Sequence, residues 1–174
     1  MFTQLTADEV QNAEEIEVIG GHNKVMDVCV HDGLKFVRVS KSELDDVNEL
    51  FGQSRSVTEN NLVIPSKLRS KGVKAPKTRD VGDYVVMEYI DGETVASSDT
   101  DVDTDELADV LVAMLEVGIQ DANPRNVIIS DDGLYAIDFD WAGQDVSTAV
   151  SEFENSQSQG MDDELVEIVL NRVN

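Results

Sequence analysis

Apolar positions recur along the chain in two rhythms, one of short alternating runs and one of helical spacing. Val25 to Val30 (VMDVCV) and Leu34 to Val39 (LKFVRV) read as strands. His31-Asp32-Gly33 between them supplies the positive-φ positions of a hairpin turn. Two more pairs follow the same plan. Thr78 to Asp80 and Tyr84 to Met87 flank Gly82-Asp83, while Val127 to Ile129 and Leu134 to Ile137 flank Asp131-Asp132-Gly133. The clearest helix is Asp103 to Val117, whose Leu107, Val110, Leu111, Met114 and Leu115 share one face. Asp103 and Glu106 have capping-box spacing, and Gly118 ends the run. Residues 6–18 read as a short acidic helix running into a strand. Residues 42–71 read as two helices, near 43–51 and 56–70, because Gly52 and Pro65 interrupt the pattern. Pro65 is expected either to sit near the start of the second helix's last regular stretch or to kink it, and Gly72 to cap it. Residues 91–102 read as a polar connector, 144–160 as a loop and 161–173 as a closing helix.

Charge narrows the function classes. Asp and Glu number 36 against 13 Lys and Arg, a net charge of −23. A surface of that sign does not coat nucleic acid or anionic membrane. At 41% hydrophobic residues the chain still has enough for a core. So acidic a folded domain fits a very salty cytoplasm, where screening mutes self-repulsion. Lys67, Arg69, Lys71, Lys74, Lys77 and Arg79 fall close together. They read as cations at a helix end and loop rather than as an anion site. Cys29, between two valines, reads as a buried strand residue. With no basic leader and no long apolar run, the expectation is a cytoplasmic protein without a membrane span.

The segment richest in chemistry runs from Gly118 through Asp121, Pro124 and Asn126 to Asp138-Phe139-Asp140. Asn126 and Asp138 flank a predicted hairpin, which folds them toward one point. Two oxygen ligands there suit Mg²⁺, which takes its remaining ligands from phosphate and water. Asp121, one short loop away, can orient a hydroxyl and accept its proton.

These residues resemble the protein-kinase-like fold in its compact microbial forms, the RIO-type kinases and the aminoglycoside and choline phosphotransferases. The catalytic loop of those families reads H-G-D-x-x-P-x-N and is followed by a strand, a turn and I-D-F-[GD]. Asp121, Pro124, Asn126 and Ile137-Asp138-Phe139-Asp140 stand at the matching positions. Val86 to Thr94 is similar to the hinge between lobes, with Met87 as gatekeeper, and Gly72-Val73-Lys74-Ala75-Pro76 resembles the segment before the fourth strand. The resemblance implies an α+β fold with an antiparallel N-lobe over 1–90 and a reduced C-lobe over 91–174. It implies ATP and Mg²⁺ as cofactors, Asp121 as the catalytic aspartate, and Asn126 and Asp138 as metal ligands. It further assigns nucleotide contacts to Gly20 and Gly21 of a glycine loop, to Arg38 in place of the β3 lysine, and to Glu59 as its helix partner, with Glu49 as the alternative. The Glu88 carbonyl and Ile90 amide would meet the adenine edge. The chain departs from the pattern at Arg38, at Ile119-Gln120 where His-Gly is usual, and in the 34 residues left after Asp140. The implied activity is phosphate transfer to a hydroxyl of an unidentified protein or small molecule. The alternative is a degenerate relative that binds nucleotide or a protein partner without turnover.

Overall fold

The structure, a computed structural model, describes residues 2–20, 24–51 and 56–174. A short helix α1 (Ala7–Gln11) opens on a Thr6 cap, in which Thr6 and Glu9 bond reciprocally. It leads into β1 (Glu14–Gly20), β2 (Val25–His31) and β3 (Leu34–Ser40). Two helices, α2 (Lys41–Phe51) and α3 (Val57–Ser70), precede β4 (Thr78–Val81) and β5 (Tyr84–Glu88). The five strands form an antiparallel sheet in the order β1-β2-β3-β5-β4. A second sheet joins β6 (Glu93–Thr94), β7 (Val127–Ser130) and β8 (Gly133–Ala136). Helices α4 (Thr104–Glu116), α5 (Val146–Glu152) and α6 (Asp163–Val173) pack with it, and a π-helical turn at Phe153–Gln157 continues α5.

Both faces of the first sheet are covered, and this decides where each strand residue points. On one face Cys29, Phe36 and Val86 pack with Leu5 and Val10 of the N-terminal segment. On the other, Val28, Val37, Val39, Val85 and Met87 meet Leu44, Val47 and Val57 of α2 and α3. Helix α3 also reaches the second core, where its Ile64 and Leu68 pack with Leu111, Met114 and Leu115 of α4. It therefore ties the two sheets' cores together. Pro65 lies inside α3 and removes one helical hydrogen bond, yet the helix runs on to Ser70.

Several expectations for the elements need correction. Most of residues 144–160, from Val146 to Gln157, is helical, because Asp145 caps α5 through the Thr148 amide and Ala149 and Phe153 are fully buried. The polar connector contains β6, which pairs with β7 at Glu93↔Ile129 and Thr94↔Ile128. In keeping with the reading of the basic cluster as helix-end and loop cations, Lys71 pairs with Glu116, Lys74 with Asp132, Arg69 with the Pro76 carbonyl and Arg79 with that of Phe2. Among the described residues no helix is long and apolar enough to cross a membrane.

Candidate active site

Two loops lie side by side at the base of the cleft between the sheets. The first leaves α4 through Gly118. The second leaves β8 at Ile137. The Gln120 amide donates to the Trp141 carbonyl at 2.9 Å, and the Ile137 amide donates to the Asn126 carbonyl at 2.9 Å. These bonds hold Asp121 and Asn126 against Asp138 and Asp140. Within the first loop Asn123 is buried, accepts from the Arg125 amide at 2.9 Å and donates to the Asp121 carbonyl at 2.7 Å. Pro124 starts a tight 3-10 turn that presents Asn126.

Asn126 donates to Oδ2 of Asp121 at 2.9 Å and to the Asp121 carbonyl at 3.0 Å. The other carboxylate oxygen of Asp121 is buried without a hydrogen-bond partner among the described residues. Burial, and next the neighbouring Asp138 charge, push its pKa up to about 7 against the pull of the Asn126 bond. Asp138 holds a positive φ of 60°, a conformation that costs energy for any residue with a side chain. Phe139 behind it is fully buried, which anchors the turn and leaves Asp138 half-exposed in the cleft.

Asp140 is buried and meets three nitrogen donors. Lys24 Nζ lies 2.6 Å from its Oδ1, Asn61 Nδ2 donates to the same oxygen at 2.8 Å, and Asn60 Nδ2 donates to its carbonyl at 3.1 Å. Lys24 also reaches Oδ1 of Asp138 at 3.4 Å. The Lys24 side chain is only 8% exposed. Burial pulls its pKa down, but Asp138 and Asp140 together outweigh that and hold it above its usual value, so Lys24 is a buried cation.

Above these loops the cleft has two halves. An apolar slot of about 180 Å³ is lined by Ile19, Met26, Val37, Met87 and the Glu88–Ile90 backbone segment. A polar cavity of about 700 Å³ adjoins it, lined by Gly20, Lys24, Asp121, Asn126, Asp138 and Trp141 among others. Asn126, Asp138 and Lys24 border both halves.

Of the residues singled out in the sequence, Asp121, Asn126, Asp138, Gly20, Glu88 and Ile90 line this cleft. Gly20 must lack a side chain, because a Cβ there would strike the Lys24 carbonyl. Gly21 lies outside the described residues. Two expected contacts are overturned. Arg38 points to the opposite face of the sheet, where it bonds Asp27 at 3.0 Å and the Val10 carbonyl at 2.7 Å. Strand alternation places Val37 and Val39 on the helix-covered face and so turns Arg38 toward α1. Glu59 sits exposed in the first turn of α3, which covers the other face, and the residues α3 aims at the aspartates are Asn60 and Asn61. Lys24 and Asn61 escaped the sequence reading. The one signal for Lys24 in the sequence is its place close behind Gly20-Gly21.

Among the described residues no three His, Cys, Asp or Glu side chains form a ready-made metal cage. The donor set nevertheless fits Mg²⁺. Asn126 and Asp138 offer oxygen only, beside the unpartnered Asp121 oxygen, and nucleotide phosphates would complete a hard cation's shell.

No protein-family model matches the chain, and no curated protein matches it in sequence. Among solved structures the chain is similar to the Rio2 kinase of Chaetomium thermophilum, described as an ADP/Mg²⁺-phosphoaspartate complex. The TM-score is 0.56 and the identity 10%, over 94% of this chain and 71% of that one. The protein thus has an α+β, protein-kinase-like fold.

Proposed function

We propose that the protein is a Mg²⁺- and ATP-dependent phosphotransferase acting on a hydroxyl acceptor. The observation that carries this reading is the position of Asp121, Asn126 and Asp138 in one polar cavity that opens directly into an apolar slot beside Glu88–Ile90. The slot suits a flat aromatic base, with the Glu88 carbonyl and Ile90 amide as its edge contacts. Asn126 and Asp138 would hold Mg²⁺, which when bound neutralises charge on the nucleotide's terminal phosphates. Asn126 orients Asp121 through the Oδ2 bond. Asp121 accepts the proton of the attacking hydroxyl through its unpartnered oxygen. The new oxygen–phosphorus bond forms as the bond to the bridging oxygen breaks, and ADP leaves. A carboxylate with a pKa near 7 is matched to that proton transfer at neutral pH.

Two observations favour binding without turnover as the second reading. Lys24 already pairs with the proposed metal aspartate, and only five residues separate Asp140 from α5. The test is γ-labelled ATP with Mg²⁺, following free phosphate and label retained on the chain, for wild type and Asp121→Asn. The Rio2 kinase complex is described as containing phosphoaspartate, which is the reason to follow retained label. Wild type is expected to release or transfer phosphate and Asp121→Asn to lose at least ~100-fold. Equal rates would overturn the role of Asp121, and nucleotide binding without release would establish the second reading.

A further inference from the structure

On the face of the first sheet that meets the cleft, the cation of β3 is Lys35, whose ammonium lies 4.4 Å over the Tyr89 ring and does not line the polar cavity. Val37 lines the slot, Val39 is 1% exposed within the helix-covered core, and Arg38 is committed to Asp27 and α1 on the far side. Yet the cleft does contain a buried ammonium. Lys24, the residue immediately before β2, borders both the apolar slot and the polar cavity. It lies between the two aspartates that follow β8, at 2.6 Å and 3.4 Å. Asn61 from α3 steadies the nearer one.

Resting on the nucleotide-dependent reading above, we propose that Lys24 is the phosphate-contacting cation of this cleft and the gate on its metal site. Without nucleotide its ammonium occupies the carboxylate pair and offsets one of its two negative charges. A free divalent cation would have to displace that ammonium and leave it buried beside a second positive charge. A metal arriving with nucleotide phosphates brings the negative charge that receives Lys24. Metal is therefore admitted together with nucleotide rather than ahead of it.

The gate predicts shifts of opposite sign, which a merely structural lysine does not give. The test compares wild type with Lys24→Met, using Mn²⁺ alone by water-proton relaxation and Mg²⁺ with ADP by calorimetry. Removing the charge is expected to tighten Mn²⁺ about 10-fold or more and to weaken ADP with Mg²⁺ by at least ~10-fold, since one unit charge at such distances counts for over 1 kcal/mol. Lys24→Arg should keep both affinities within about threefold, because it keeps the charge. Arg38→Met should leave both unchanged.

If Lys24→Met leaves both affinities as in wild type, or weakens both, the proposal is wrong and Lys24 only packs or holds shape. If Lys24→Met lacks a cooperative melt, Lys24→Gln carries the same expectations. If wild type does not bind ADP with Mg²⁺ at all, the nucleotide reading fails first. The Mn²⁺ titration then decides the gate by itself, through tightening or no tightening.

Discussion

Asp121 carries a half-buried carboxylate with one oxygen held by Asn126 and the other without a partner among the described residues. Its folded pKa of about 7 lies above the unfolded value of 3.8. The folded protein therefore binds this proton more tightly than the unfolded chain. Stability associated with that proton is present at low pH and is lost as pH rises through 7. Asn in the same place cannot ionise. Asp121→Asn is thus expected to melt higher than wild type at pH 8 by about 1–3 kcal/mol, roughly 3–10 °C for a chain of this length. The gap should shrink toward pH 5. Thermal melts at pH 5, 6, 7 and 8 check this, and a gap that is absent or constant across the range would contradict it. At this scale the sequence was readable where spacing is rigid. Asp121 and Asn126 sit on one tight loop, and a hairpin brings Asp138 back to it. Arg38 was misplaced because β3 is apolar on both sides, with Phe36 facing α1 and Val37 facing α2 and α3. Its alternation does not say which face meets the cleft.

Gly118 is where helix α4 gives way to the loop that carries Asp121. Its φ is +82°, and a Cβ there would overlap the Gln144 carbonyl. The Gln144 amide in turn donates to the Gly118 carbonyl at 3.4 Å, beside the 2.9 Å bond from Gln120 to Trp141. The two loops are therefore joined backbone to backbone at their outer ends. Gly118→Ala meets both a left-handed backbone and a backbone clash, and is expected to cost about 2–4 kcal/mol. A fall in Tm of roughly 5–15 °C would register it, and an unchanged melt would show that the two loops are not locked together. Gly118 was visible in the sequence as the end of the α4 pattern. Its packing against Gln144 was not, since that depends on the later loop. The same limit hid α5 and β6. Two residues of β6 carry no period, and α5 is polar on most of its surface, so only tertiary burial of Ala149 and Phe153 reveals it. Helix α3 runs through Pro65 over close to the expected span, since packing on both sides of it outweighs one missing hydrogen bond.

Across the whole molecule the net charge of −23 sets a self-repulsion that the few cations blunt only locally. The Debye length falls from about 10 Å at 0.1 M salt to about 3 Å at 1 M. The melting temperature is expected to rise by at least ~5 °C between 0.1 M and 2 M KCl, and a flat profile would separate the acidic surface from adaptation to salt. Salt also matters for function, because an acidic protein repels ATP in dilute buffer. The most direct measurement of the central claim is therefore calorimetric titration of the folded protein with ATP in molar KCl, with and without Mg²⁺. The cleft of Asp121, Asn126 and Asp138 is expected to bind one ATP per chain with Mg²⁺ and to bind at least ~10-fold more weakly without it. Absence of binding in both titrations, by a chain that melts cooperatively in the same buffer, would contradict the assignment.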